Sequence, residues 1–344
     1  MAGSTPESAT GKADEGSATV RPGQLDDAAR GDVGLAVSKT ATMAGAPLGL
    51  VKPSLSPTAD AWKRFKRHRL AFWSLWILGL LALAVLFGPL IYKVGINDID
   101  FKARLAGPSA SHLMGTDDLG RDLMARMLYG GRISLAVGLA AMLMAITVGV
   151  VIGAIAGISG GWVDAALMWV TDLFLSLPQL PLLLLLIFLF REVLKQIFGL
   201  EIGIFILIVA VIGGFRWMPV ARLVRAQFFS LREKEFVEAA RALGASVPRQ
   251  VVRHILPNSL GPVIVAGTID VAAAIIAEST LSFLGLGFPP DIPTWGRILY
   301  DSRDFMDIAS HWALFPGMAI FITVLTINFI GDGLRDALDP RRVL

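Results

Sequence analysis

Cysteine is absent from the sequence, so disulfides, thiol nucleophiles and cysteine-ligated metals are excluded, while the compartment stays open. Histidine is scarce. His68, His112, His254 and His311 are scattered with no metal-ligand spacing between them, and metal catalysis is not expected. No G-x-x-x-x-G-K-[ST] phosphate loop exists: the single Gly-Lys pair, Gly11-Lys12, is followed by Ala13. Charge is also sparse. Only 17% of residues are charged, the net charge is +3, and the cations cluster beside apolar segments, so nucleic acid is not the expected partner. What is present in excess is apolar residues, 54% of the chain, in uncharged runs that reach the roughly 18–20 residues needed to cross a bilayer. The implied class is an all-α integral membrane protein whose main contact is lipid.

Residues 1–58 are rich in Ala, Gly, Ser, Thr, Pro and Asp and cannot bury a core, which predicts a disordered tail without a cleaved leader. Residues 59–131 are expected to hold one spanning helix and the loop after it. The stretch Ala61–Leu70, AWKRFKRHRL, carries five Lys/Arg and abuts the uncharged Ala71–Ile91. Such a basic collar belongs on the cytoplasmic side, placing the N-terminus there. The polar loop that follows contains Leu113–Leu135, with Gly115, Thr116, Asp117, Gly120, Arg121 and Asp122. In it, Leu123, Met124, Met127 and Leu128 at helical spacing predict an interfacial helix leading into the next span.

A core of five further spans is predicted over 132–344. Ile133–Trp162 is rich in small residues that let helices approach closely. Ala165–Phe190 carries Asp172 and is interrupted by Pro178 and Pro181, with Arg191–Glu201 read as a short outer turn. The fourth span starts at Ile202 and ends near Ala221, with Arg216 snorkelling at its interface. The fifth, Leu260–Leu284, carries Asp270 and Glu278, and Trp312–Ile330 is the sixth. Six spans from a cytoplasmic start return the C-terminus, with Arg341 and Arg342, to the cytoplasm. Asp172, Asp270 and Glu278 are expected to line a pathway or pair helices, with a plain interfacial position as the alternative.

Between the fourth and fifth spans lies a charged stretch, 222–258, with seven Lys/Arg and three Glu. Hydrocarbon cannot hold it, so it is expected as a cytoplasmic loop. Phe236, Ala239, Ala240 and Leu243 recur at helical spacing, Gly244 is a helix stop, Ser246 a candidate cap and Pro248 a first-turn residue. A helix, a glycine turn and a short helix suit a knob that docks on a partner. The enzyme alternative, an intramembrane serine protease, rests on Gly157-Ile158-Ser159-Gly160, which resembles the G-x-S-G of rhomboid proteases. No histidine lies within any predicted span to serve as its base.

The spacing Glu238-Ala239-Ala240, three residues, Gly244, nine residues, His254-Ile255-Leu256-Pro257 closely resembles the EAA loop of ATP-binding cassette (ABC) importer permeases, with His254 at the usual isoleucine position. Leu113–Leu135, Ala277–Gly296 and Phe329–Arg341 likewise resemble the C-type subunit of dipeptide and oligopeptide permeases, and the likeness spans about 60–344. The resemblance implies a type I importer permease fold in the inner or plasma membrane. It also implies a coupling loop, in which Glu238, Ala239, Ala240, Arg241 and Gly244 meet an ATPase and Leu256-Pro257 fixes the return into the membrane. The partners implied are a homologous B-type permease, two ATP-binding subunits that hold the ATP and magnesium, and an extracytoplasmic solute-binding protein. For the Gly115–Asp122 motif, loop locking and binding-protein contact stand level. A proton-coupled secondary carrier using Asp172 or Asp270 is the main alternative, and it has no account of the EAA spacing.

Overall fold

The computed structural model describes residues 57–338, which are helical apart from connecting loops and one isolated two-residue bridge. The tail expected over 1–58 and the arginines 341 and 342 lie outside the described residues, except that 57 and 58 open the first helix. That helix, α1 (Pro57–Arg67), is separated from the first span, α2 (Arg69–Ile91), by His68. His68 leaves helical geometry (φ −81°, ψ 90°) and its Nδ1 accepts from Ala71 N, capping α2.

The second long helix, α3, runs unbroken from Leu123 to Ser159. At 1.5 Å per residue it is about 55 Å long, against a hydrocarbon core of ~30 Å. The interfacial helix expected around Leu123–Leu128 is therefore not separate but the first turns of this rod. Gly160 and Gly161, at φ +61° and +55°, end α3 and start α4 (Gly161–Ser176). Left-handed backbone at both positions is what glycine tolerates and other residues resist. The Gly157–Gly160 motif is thus the end of a helix and a turn.

The third and fourth apolar segments are each bent. Leu177 is extended, as a residue before proline prefers, and Pro178 opens α5 (Gln179–Phe198) at 87° to α4. The turn expected over Arg191–Glu201 is helix as far as Phe198. The breaker is Gly199 (φ +82°), since Arg191, Glu192 and Lys195 simply ride the helix surface. α6 (Leu200–Gly214) and α7 (Trp217–Arg232) meet at 43° across Phe215-Arg216, with Pro219 in the tolerant first turn of α7. α7 continues eleven residues past Ala221, so Arg222–Arg232 is helix rather than loop.

After α7 come α8 (Glu235–Ala242) and the short α9 (Val247–Gln250). A π-helical turn over Val251–Ile255 joins α9 to α10 (Leu256–Phe283) without a gap. Leu256-Pro257 opens α10 as a direct continuation of this turn. The wide π turn lies just where Pro257, which has no N–H, would leave an α-helical carbonyl unpaired. α11 (Trp295–Ser302) and the last long helix, α12 (Ser310–Leu338), complete the described chain.

Four helices or continuous helical runs are long and apolar enough to span a bilayer, and counting each bent pair as one span gives six. α3 sits at the centre. Its Val137 and Ala141 join α5, α6 and α10 in the largest apolar core, and Leu123 and Met127 pack with Val85 of α2, Trp295 of α11 and Trp312 of α12. α3 and α7 approach closely over three turns. A Cβ on Gly149, Gly153 or Gly157 would stand 2.4–2.6 Å from Val220, Ala221 or Phe228. Only hydrogen fits at these three successive turns, so the two helices are in van der Waals contact along their shared length.

Candidate functional site

α8 is held by two residues and exposes the rest. Val237 and Ala240, three apart and hence on one face, are buried, Val237 among Val220, Val224 and Phe228 of α7 and Ile255 and Val263. Glu238, Ala239 and Arg241 are exposed, and Leu243 is 89% exposed. Ala240 thus faces its own chain, and of the two alanines Ala239 is the one presented outward. Glu235 and Glu238 lie in the first turn and Arg241 in the last, each at the end its charge stabilises.

The stop after α8 is a paired carbonyl cap. Gly244 N donates to Arg241 O at 2.9 Å and Ala245 N to Ala240 O at 3.0 Å. Gly244 has φ +81° and nothing within 4 Å of a notional Cβ, so glycine is required by backbone conformation and not by crowding. Gln250 Nε2 donates to Ala245 O at 2.7 Å, closing the turn onto α9. Ser246 takes the extended geometry of a cap, but its side chain makes no capping bond.

Behind α8, α7 is fixed by charge as well as by packing. Arg225 clasps Asp164 of α4 with both arms, Nη2 to Oδ2 at 2.5 Å, and Arg222 pairs with Asp172. At the α6–α7 bend, Arg216 holds Asp270 of α10 with Nε at 3.1 Å and Nη2 at 2.6 Å. Arg216 therefore reaches a partner in the bundle and does not snorkel. Asp172 and Asp270 are thus each paired with an arginine. Asp164 was not singled out from the sequence. Its signal was an acid one turn past a glycine pair, readable only once Arg225 is placed on a helix.

Among the described residues Glu278 has no cationic partner. It is fully buried on α10, where Ser282 Oγ donates to Oε1 at 2.7 Å and Ser134 Oγ lies 3.4 Å from Oε2. Ser134 Oγ also accepts from Trp295 N at 3.2 Å, so α3, α10 and α11 meet there. Asp172, Asp270 and Glu278 do not converge on one site.

Residues 115–122 form a tied loop. Asp117 Oδ1 accepts from Leu119 N and Arg121 N, both at 2.9 Å, and Oδ2 from Arg121 Nε at 2.6 Å. Thr116 Oγ1 donates to Ala103 O and accepts from Ala106 N. Asp122 caps α3 through Ala125 N at 2.9 Å and also receives Tyr92 Oη at 2.8 Å, with His112 Nδ1 at 2.8 Å from the same oxygen. Burial and this acceptor push the Tyr92 phenol up to about 12. Gly120, at φ +83°, sits so close to Asp100 that a Cβ would lie 1.9 Å from its carbonyl oxygen. Asp117 and Thr116 are 0% exposed, and Arg121 and Asp122 nearly so. Such geometry ties the loop to the start of α3 and to the segment around Asp100.

Arg126, also buried and missed from the sequence, extends this tie by donating to Ile96 O, Asn97 Oδ1 and Pro290 O at 3.0–3.3 Å. It lies 3.8 Å from Asp301, whose carboxyl burial pushes above the ordinary range against the pull of Arg297. Among the described residues no group of His, Cys, Asp and Glu could hold a metal ion.

Residues 149–343 match the family described as "binding-protein-dependent transport system inner membrane component". The chain belongs to this family of permeases. Residues 56–108 of the permease, which include α1 and α2, match the N-terminal transmembrane domain of oligopeptide transport permease C. The permease is 41% identical over 289 residues to the dipeptide transport system permease protein DppC of Alkalihalophilus pseudofirmus, covering 84% of this chain and 91% of that one. It is 43% identical over 284 residues to the oligopeptide transport system permease protein OppC of Escherichia coli, covering 82% and 90%. A chain of the MetNI methionine ABC transporter aligns over 61% of this one and 94% of its own, at 20% identity and a TM-score of 0.49. The permease's EAA spacing, α8, and Arg216, Arg222 and Arg225 with the acids they pair fall within the first matched range.

Proposed function

We propose that this permease forms half of a heterodimeric ABC importer channel for di- and oligopeptides in the inner or plasma membrane. A homologous B-type permease completes the path, two cytoplasmic ATP-binding subunits hold ATP and magnesium, and an extracytoplasmic solute-binding protein delivers the cargo. Both termini and α8 face the cytoplasm. The names of the relatives support peptide as cargo. This chain does no covalent chemistry.

The observation that carries the coupling role is the two-sided character of α8. Val237 and Ala240 fasten it to the bundle, while Glu238, Ala239, Arg241 and Leu243 stand exposed for a second protein. An exposed leucine that follows Glu238 and Arg241 along α8 suits a groove with an apolar floor and a charged rim. Force applied to α8 passes into α7 through Val237. From α7 it passes to α3 through the glycine contacts and to α4 through Arg225–Asp164 and Arg222–Asp172. The unit that rocks is then α3, α4 and α7 together, with α10 joined through Arg216–Asp270 and the π turn.

The test joins Glu238→Lys to Gly244→Pro in the intact transporter. Proline cannot adopt the positive φ that this turn requires, and lysine reverses the docking charge. The expected outcome is loss of both labelled dipeptide uptake and co-purification of the ATP-binding subunits. Retention of both refutes the coupling role. Uptake of nickel or of longer peptides in preference to dipeptides, with coupling intact, redirects the cargo alone.

A further inference from the structure

The basic helix α1 is placed as a fixture at the membrane edge, with a surface that no part of the transport cycle described above uses. Phe65 is buried, 4% exposed, against α2 and α12, and lies 3.1 Å from where a Cβ on Gly333 would stand. That contact holds α1 against the bundle. The break at His68 keeps it from continuing straight into α2. On the outer side Lys63, Lys66, Arg67 and Arg69 are all exposed. The nearby acids are Asp60 on α1 itself and Asp332 and Asp336 on α12, of which Asp332 is exposed and the other two half-buried.

The level of this patch in the membrane follows from its neighbours. α2 begins at Arg69 with no further charge until after Ile91, and Trp73, Trp76 and Leu80 are 63–71% exposed, as on a surface that meets lipid. Trp62 is 47% exposed, stacks on Phe65 at 5.7 Å and lies 5.1 Å beneath the Lys66 ammonium. Tryptophans of this kind sit at the headgroup layer. Four exposed cations on a fixed frame, at that depth, match the phosphate of an anionic lipid.

We infer that α1 and the start of α2 form a binding site for anionic phospholipid headgroups, with Lys63, Lys66, Arg67 and Arg69 as the phosphate-facing cations. The frame is rigid before lipid arrives, so little ordering opposes binding. Each Lys or Arg at an anionic surface strengthens binding about fivefold. The site does not depend on which solute is carried or on how α8 docks.

The test uses the intact transporter in lipid discs containing a photoactivatable phosphatidylglycerol or its phosphatidylcholine counterpart, with labelled peptides mapped by mass spectrometry. The expected result is that peptides within 59–70 are labelled roughly twenty-five-fold more by the anionic probe, two cations' worth. Lys63→Gln, Lys66→Gln, Arg67→Gln and Arg69→Gln together bring labelling down to the phosphatidylcholine level. Lys63→Arg with Lys66→Arg keeps it, which separates charge from folding. Millimolar inorganic phosphate does not compete, because the free ion lacks the membrane anchor. Equal labelling by both probes, labelling that survives the fourfold substitution, or competition by free phosphate each overturns the inference.

Discussion

At the scale of single residues, the intramembrane acids are accounted for by what faces them. Asp270 is 6% exposed and receives two bonds from Arg216. Asp270→Asn removes the charge that compensates a guanidinium which is itself only 21% exposed. Breaking one side of a buried pair costs more than the pair contributes, about 3–5 kcal/mol where burial is complete and less here. The expected result is a clear fall in the thermal midpoint of the purified transporter, largely reversed when Arg216→Met and Asp270→Leu are combined. A proton-coupling role for Asp270 predicts instead a stable variant that loses uptake. Asp270 was visible in the sequence as an acid in an apolar run. Its partner was not, because Arg216 and Asp270 are brought together by the fold, and a linear reading sends an arginine at a helix end toward water.

Among the elements, the α3–α7 contact is a strict one. Gly153 would place a Cβ 2.4 Å from Ala221 O, a backbone atom that cannot step aside without moving α7. Gly153→Val is expected to destabilise by about 1–3 kcal/mol, the range for overpacking a close interface. It should also reduce the coupling of ATP hydrolysis to uptake, since α7 carries α8. Parallel measurement of ATPase rate and uptake in vesicles checks this, and the idea fails if their ratio is unchanged. The abundance of glycine and alanine in this segment was readable as close packing. The partner helix was not, because eleven residues of α7 were counted as loop. The charges of Arg222 and Arg225 were read as incompatible with hydrocarbon, whereas Asp172 and Asp164 neutralise them across the helix pair.

For the whole molecule, the number and order of apolar segments were legible because a chain in lipid must satisfy its backbone within each segment, which forces long uncharged helices. The bends were less so. Pro178 announces a break, but its 87° size is set by what α4 and α5 pack against, and the α6–α7 bend has no proline at its vertex. The tie between 115–122 and the helix ends rests on side-chain bonds across long sequence separations, such as Tyr92 to Asp122, which no spacing rule reveals.

The π turn at Val251–Ile255 sets the angular phase of the docking surface. An α-helix advances about 100° per residue, and a π turn absorbs one extra residue without breaking the rod. Deleting a residue two turns into α10, where no wide turn absorbs the change, twists everything before it about 100° relative to the rest of that helix. The six spans would still insert, yet the face bearing Glu238 and Leu243 would point elsewhere on the compass of the molecule. Such a deletion should assemble in the membrane and fail to retain the ATP-binding subunits. The phase of one helix thereby works as an alignment key between a membrane bundle and its motor.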